Sequence, residues 1–157
     1  MKFGTVTNFD DSATVRFERI IAAPQDSVWQ GLTNEARLAE WLAPTTLEPV
    51  VAGRVSIDFG DEQKVEGSVI EIDPQHVLEY SWTFSGEGDS ILRFELRATG
   101  DGSNLVLEHR LLPPDQAVGY GAGWHAHLDS LQAMLENSGP VDWDERFNEV
   151  LGTYAGA

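Results

Sequence analysis

The chain has 157 residues, of which 26 are acidic and 10 are basic, and its formal net charge is −16. A surface this negative repels phosphate backbones and anionic lipid headgroups, so we expect no nucleic-acid partner and no membrane insertion. The absence of cysteine excludes disulfides, thiolate catalysis and cysteine-based zinc sites.

Apolar residues make up 41% of the chain, which is enough to build a hydrophobic core. We predict one domain over residues 1–157, with its core in residues 13–137 and an amphipathic appendage in residues 138–157. The N-terminal residues show no apolar secretory segment, and no apolar run approaches the roughly 20 residues of a membrane span. We therefore expect a cytoplasmic protein.

The first part of the chain alternates between strand and helix signals. Residues 1–12 are polar, and we predict that they are frayed. Residues 13–22 are rich in Val, Phe and Ile with charged residues between them, which predicts a strand. Pro24 ends this strand and suits the first turn of a helix that runs to about Thr33. Asn34 can cap a second short helix, and Pro44 ends it.

The hydrophobic pattern then changes to a period of two. Apolar residues alternate with polar ones in five segments, near 55–59, 65–72, 77–84, 92–97 and 105–109. Turn residues such as Asp73-Pro74 and Gly100 separate these segments. Successive strands joined by short turns predict an antiparallel meander.

A long helix follows the meander, from about Pro114 to Glu136. Its apolar residues form a single stripe that contains Trp124, Leu128 and Leu131. Because a helix with one apolar face needs an apolar surface to lie on, we expect it to lie in the curved sheet. We predict an enclosed or deeply invaginated cavity between the sheet and helix 114–137. A last amphipathic segment, containing Trp143, predicts a terminal helix that packs back on the body.

Two histidines are candidate ligand contacts. On a helical wheel, His127 lies about 60° from Trp124, beside Tyr120, at the edge of the apolar stripe. His109 shares its strand face with apolar residues and would point into the cavity, where it can accept a proton. His125 points in the direction that we predict to face solvent.

We predict no metal site and no cofactor. His125 and His127 are two residues apart on a helix and diverge by about 200°, so they cannot ligate one ion together. Gly119, Gly121 and Gly123 lack the strand–loop–helix context and the lysine of a phosphate-binding loop. We interpret these glycines as small residues that let the helix approach the sheet. No nucleophile motif is present, so we assign no catalytic residue.

The predicted cavity wall is aromatic, which suits a planar or hydrophobic ligand. The candidate ligand-binding residues are Trp29, Trp41, Tyr80, Trp82, Phe94, His109, Tyr120, Trp124 and His127.

Several segments resemble the START-like SRPBCC superfamily, and specifically its bacterial branch related to the activator of the heat-shock protein 90 ATPase. The resemblance covers about residues 13–137. The segments that carry it are Ala23-Pro24 to Trp29, Thr33-Asn34 to Trp41, Leu78 to Trp82, Leu105 to His109, and Gly123-Trp124 with Leu128 and Leu131.

The resemblance implies an α+β helix-grip fold, in which a curved antiparallel sheet wraps around a long C-terminal helix and two short helices follow the first strand. Members of this superfamily bind hydrophobic molecules such as lipids or polyketides, some are cyclases or dehydratases, and one branch stimulates a chaperone ATPase. We therefore expect a carrier or sensor of a small hydrophobic molecule. The alternatives are a cyclase-like enzyme, with His127 or His109 and Tyr80 moving protons, and a co-regulator of a chaperone ATPase.

Overall fold

The computed structural model of the protein describes residues 2–156. Within this range the chain forms eight strands and four α-helices, with a 3-10 turn at Pro114–Gln116 before the third helix. The elements are β1 (Thr5–Asn8), β2 (Ala13–Ile21), α1 (Gln25–Thr33), α2 (Glu35–Trp41), β3 (Thr45–Leu47), β4 (Arg54–Asp58), β5 (Lys64–Asp73), β6 (Val77–Phe84), β7 (Asp89–Ala98), β8 (Ser103–Leu112), α3 (Ala117–Glu136) and α4 (Trp143–Ala155).

The strands form one antiparallel sheet in the order β1-β2-β8-β7-β6-β5-β4-β3. Helices α1 and α2 connect β2 to the far edge of the sheet, and the meander from β3 to β8 then returns the chain to β2. The last strand thus pairs with β2, with Phe17 opposite Leu107. The curved sheet, the long C-terminal helix α3 and the two short helices after the strand at residues 13–21 confirm the predicted α+β helix-grip fold.

Side-chain alternation places the core on the face of the sheet that holds α3. On β7, Leu92 and Phe94 are buried, whereas Arg93 between them lies on the other face and pairs with acidic residues. Helix α3 contributes Trp124, Leu128 and Leu131 to the same core, as its apolar stripe predicts.

Local contacts define the ends of α1 and α2 and join the two helices, and Asn34 has the capping role that the sequence predicts. Asn34 Oδ1 accepts hydrogen bonds from the backbone amides of Ala36 and Arg37, at 2.9 and 3.2 Å, and so caps α2. The indole Nε1 of Trp41 donates to the carbonyl of Gly31 at 2.7 Å, which joins α2 to α1. Because this contact consumes the only polar atom of the Trp41 side chain, that indole is fixed inside the core.

The prediction that residues 1–12 are frayed is wrong for β1, whose four residues pair with β2. The strand is anchored by a residue that is distant in sequence, because the amide of Gly4 donates to Tyr154 Oη at 2.9 Å. The three-residue strand β3 was also not predicted as a separate element. Both strands are too short to show a clear alternation of apolar and polar residues.

The C-terminal segment is part of the packed body and not an appendage. Helix α4 packs along α3, and its Val150 and Tyr154 are buried. Asp129 on α3 binds Arg146 of α4 and also Arg19 of β2, with Arg19 at 2.7 Å, so one carboxylate ties three elements together.

The prediction that His125 faces solvent is wrong, because β1 and α4 cover that side of α3. His125 is fully buried, and its Nδ1 lies 2.8 Å from Tyr154 Oη. None of the helices between residues 2 and 156 is long and apolar enough to cross a membrane.

Candidate functional site

A cleft of about 640 Å³ lies between the first half of α3, the start of α4 and two turns of the sheet, β4–β5 and β6–β7. This volume falls inside the range of roughly 300–1,000 Å³ that is typical of small-molecule sites. The cleft opens to solvent at one end of α3, whereas the predicted cavity was enclosed or deep beneath the helix. The lining residues are Leu42, Phe59, Asp61, Gln63, Trp82, Phe84, Glu87, Gln116, Gly119, Tyr120, Gly123, Trp124, His127, Trp143, Asp144 and Phe147.

Four of the predicted site residues line this cleft: Trp82, Tyr120, Trp124 and His127. Trp82 comes from the end of β6, and the other three come from one face of α3. The Trp82 and Trp124 rings lie 5.5 Å apart between centroids, and Trp124 lies 5.7 Å from the His127 imidazole. The structure therefore brings these four side chains together as one aromatic surface.

The other predicted wall residues lie outside the cleft lining. Trp29, Trp41, Tyr80 and Phe94 are buried in the packed core, where α1, α2 and the middle of the sheet enclose them. Burial raises the pKa of the Tyr80 hydroxyl far above its usual range, so this group is a poor proton donor. The expectation that these four side chains form the cavity wall is corrected, because they belong to the buried core and do not line the cleft.

His109 is fully buried behind the aromatic surface and its hydrogen bonds are saturated. Its Nδ1 accepts from Trp124 Nε1 at 3.0 Å, so the proton of the neutral ring is on Nε2, which lies 2.8 Å from Ser90 Oγ. Ser90 in turn donates to the carbonyl of Trp82 at 3.1 Å. Burial lowers the pKa of His109 to about 3. His109 therefore holds Trp124 and Trp82 in place. The prediction that it points into the cavity is corrected, because it lies outside the cleft lining.

His127 is half-buried on the cleft wall and has one nitrogen available. Its Nδ1 lies 3.3 Å from the carbonyl of Trp41. Because a carbonyl only accepts, Nδ1 carries the proton and Nε2 is an acceptor. Burial lowers the pKa of His127 to about 4, so the ring is neutral at neutral pH. The structure shows no hydrogen bond to Nε2 from any residue between 2 and 156.

A short chain of hydrogen bonds organises the mouth of the cleft. Trp82 Nε1 donates to Tyr120 Oη at 3.1 Å, and Tyr120 Oη donates to Glu87 Oε1 at 2.8 Å. Burial and the hydrogen bond to Glu87 both raise the pKa of the Tyr120 hydroxyl, which therefore stays protonated. This arrangement fixes the Glu87 carboxylate in the β6–β7 turn beside two aromatic rings.

Helix α4 supplies cleft residues that were not predicted from the sequence. Trp143 and Phe147 stack at 4.9 Å between ring centroids, and Trp143 lies 5.3 Å from the His127 ring. The indole Nε1 of Trp143 is buried and has no hydrogen-bond partner among residues 2–156. The amphipathic pattern of residues 143–154 was visible in the sequence, but it did not show which surface the helix covers.

The glycines of α3 divide into two groups. A methyl group on Gly121 would lie only 3.1–3.2 Å from Tyr154 and Val6, so this glycine allows close packing against α4 and β1. Gly119 and Gly123 line the cleft instead, and nothing lies within 4 Å of a methyl group placed on Gly119. The interpretation as packing residues is therefore right for Gly121, whereas Gly119 leaves open space in the site.

Several solved structures resemble this one. CalU16 from Micromonospora echinospora is 21% identical, with a TM-score of 0.83 over 99% of this chain and 96% of that chain. MLL2253 from Mesorhizobium loti is 28% identical, with a TM-score of 0.73 over 80% of this chain and 98% of that chain. DynU16, a protein in the dynemicin biosynthetic locus, is 25% identical, with a TM-score of 0.75 over 84% of this chain and 49% of that chain. No curated protein matches the chain significantly.

The family comparison agrees with the motifs in the sequence. Residues 22–136 match the family described as Activator of Hsp90 ATPase homolog 1-like protein. The match begins just before α1 and ends with α3, so it includes most of the sheet and the α3 side of the cleft. It also confirms the resemblance to this branch of the START-like SRPBCC superfamily. Because the match spans well over half of the chain, the protein belongs to the Activator of Hsp90 ATPase homolog 1-like family.

Proposed function

We propose that the protein binds a small hydrophobic molecule with a planar ring in the cleft, as a carrier or sensor. The observation that carries this proposal is a cleft of about 640 Å³ whose lining combines a cluster of aromatic side chains with acidic and amide side chains. Sites of this kind hold a ligand through its apolar body and orient it through a few hydrogen bonds. His127 Nε2, which has no hydrogen-bond partner among residues 2–156, is an acceptor that can serve this purpose.

The same geometry favours binding over a cyclase-like reaction. A general base works best when its pKa lies near the working pH. The pKa of His127 is about 4, and the lone pair of His109 is occupied by Trp124. Neither histidine is therefore suited to take a proton from a substrate at neutral pH.

The small-molecule role also has support from a relative. DynU16 is a protein in the dynemicin biosynthetic locus, which indicates that one member of this fold works beside small-molecule chemistry. Co-regulation of a chaperone ATPase is the alternative that the family description suggests. A concave aromatic cleft fits a small molecule better than it fits the surface of a large protein partner.

Filling part of the cleft should weaken binding. The test probe is 1-naphthylmethanol, a neutral planar alcohol, and its affinity can be measured by isothermal titration calorimetry. The side chain in Gly119→Leu enters open space on the cleft wall, and leucine is a better helix former than glycine, so the fold should persist. We expect the variant to bind at least about tenfold more weakly, since a filled site loses most of its apolar contact with the ring.

The matched control is Gly152→Leu, which makes the same substitution at an open position of α4 outside the cleft. Its affinity for the probe should equal that of the wild type. Absence of binding to the wild-type protein up to the solubility of the probe contradicts the proposed function, and so does equal binding by Gly119→Leu.

Removing the His127 acceptor should weaken binding modestly. His127→Phe keeps an aromatic ring but removes the lone pair of Nε2. Losing one neutral hydrogen bond costs about 0.5–1.5 kcal/mol, so 1-naphthylmethanol should bind about 2- to 12-fold more weakly. The control ligand is 1-methylnaphthalene, which has no hydroxyl group and should show no such loss. An equal loss of affinity for both ligands would contradict the proposed hydrogen bond, because His127 would then contribute only through the shape of its ring.

A further inference from the structure

The carboxylate of Glu87 lies at the cleft without a cationic partner. Glu87 is half-buried, and its hydrogen bond comes from the Tyr120 hydroxyl at 2.8 Å. No ion pair involves Glu87 among residues 2–156. The other acidic residues of the lining, Asp61 and Asp144, are exposed at its rim, and the lining includes no lysine or arginine.

Other buried or half-buried carboxylates in this protein have more partners, and Glu136 on α3, which also makes no ion pair, accepts hydrogen bonds from the Ala22 amide and from Gln132, both at 2.9 Å. Glu79, which is 7% exposed, lies 3.2 Å from Arg93 and 3.1 Å from Arg110. Asp129, which is 13% exposed, binds two arginines. A carboxylate that loses part of its hydration normally gains such a partner, because burying an unpaired charge is costly. Glu87 instead lines the cleft, with the Tyr120 hydroxyl as its hydrogen-bond donor.

The walls around this carboxylate are also suited to a positive charge. The ring of Trp82 lies 6.3 Å from Tyr120 and 6.1 Å from Phe59, so aromatic rings from β6, α3 and the β4–β5 turn meet in this part of the cleft. The faces of aromatic rings attract cations, most strongly in the case of tryptophan. His127 does not repel a cation, because burial lowers its pKa to about 4 and the ring is neutral at neutral pH.

We propose that the native ligand is a hydrophobic organic cation, with an apolar ring system against Trp82 and Trp124 and a protonated amine or quaternary ammonium beside Glu87. This inference deepens the proposed function and depends on it. An anionic ligand of the same shape would meet Glu87 and the acidic rim with no compensating charge.

Three probes with the same ring separate the two claims: 1-naphthylmethylamine as the cation, 1-naphthylmethanol as the neutral form and 1-naphthoate as the anion. At pH 7 and about 0.15 M salt, long-range charge effects are screened beyond roughly 8 Å. A cation–π contact and a half-exposed ion pair together predict that the amine binds about 3- to 30-fold more tightly than the alcohol. The naphthoate should bind more weakly than either of the other two.

The test variant is Glu87→Gln, which keeps an acceptor for Tyr120 and removes the charge. The ratio of the amine and alcohol affinities should fall by the share of the ion pair, up to about fivefold, whereas the share of the cation–π contact should remain. The control is Glu18→Gln, which removes the same charge on β2, where Glu18 is exposed beside Arg16 and lies outside the cleft lining. The control should keep the wild-type ratio.

The outcomes distinguish the two proposals. Binding of the alcohol without preference for the amine overturns the cation inference and leaves the proposed function intact. An equal fall of the ratio in both variants also overturns it, because the preference would then come from the overall charge. Failure of the wild-type protein to bind any of the three probes overturns both proposals.

Discussion

Replacing Trp124 with alanine should lower the free energy of unfolding by about 3–5 kcal/mol, which is the usual cost of removing a large buried aromatic side chain. Trp124 is 2% exposed and contacts the Trp82, Phe94 and His109 rings. Its loss would also leave His109 Nδ1 without a donor in the interior, which adds to the cost of the cavity. The measurement is urea denaturation followed by far-ultraviolet circular dichroism.

Trp143→Ala is the matched comparison, because it removes the same side chain from the other wall of the cleft. Trp143 is only partly buried and its indole makes no hydrogen bond with residues 2–156, so we expect a loss below about 2 kcal/mol. Equal shifts of the two denaturation midpoints, with unchanged m-values, would contradict the placement of Trp124 on the buried inner wall of the cleft and Trp143 at its partly exposed edge.

Acidification should destabilise the protein through His109. The pKa of His109 is about 3 in the folded protein, against about 6.5 in the unfolded chain. As the pH falls below about 6.5, protons bind the unfolded state first, so the stability present above this pH is lost progressively until the pH reaches about 3. At pH 5 the loss from this one histidine is about 2 kcal/mol relative to neutral pH.

The contribution of His109 can be isolated by comparing how the unfolding free energy changes with pH in each variant, because a substitution also changes the absolute stability. His109→Gln removes the titrating group, so the fall in unfolding free energy between pH 7.5 and pH 5 should be about 2 kcal/mol smaller than in the wild type. The control is His76→Gln, which removes an exposed histidine and should leave the dependence unchanged. If the unfolding free energy of His109→Gln falls between pH 7.5 and pH 5 as much as that of the wild type, then His109 is not held neutral by burial.

The main elements of the fold were predictable because their signals are local. The cap at Asn34 and the alternation through β6 and β7 each depend on residues a few positions apart. Elements held by distant contacts were not predictable in this way. The three- and four-residue strands β3 and β1 are too short to show a period, and β1 depends on Tyr154, which follows it by about 150 residues.

The error at His125 has the same origin. A helical wheel gives the direction of a side chain relative to its own helix, but it does not show what covers that direction. Leu128 faces the sheet, and His125 faces β1 and α4, so both are buried although they point to different sides of α3. Burial of a helix on two sides could be inferred only with knowledge of where α4 lies.

The site was only partly predictable, because the core and the cleft wall are built from the same types of residue. Trp41 and Trp82 are both buried indoles, yet Trp41 donates to the Gly31 carbonyl inside the core and Trp82 donates to Tyr120 on the cleft. What separates them is the position of the turns and of α4. Glu87 was overlooked because an acidic residue in a glycine-rich turn is normally solvated surface.

The central claim is that a ligand ring lies on the aromatic surface of the cleft and nowhere in the core beneath it. The five tryptophans provide the most direct test, since each indole N–H gives a separate signal in a ¹⁵N–¹H correlation spectrum. Three indoles line the cleft, at Trp82, Trp124 and Trp143, whereas Trp29 and Trp41 lie in the core. Titration with 1-naphthylmethanol should shift the first three signals and leave the other two in place. Shifts confined to Trp29 and Trp41, or no shift at saturating probe, would contradict the account.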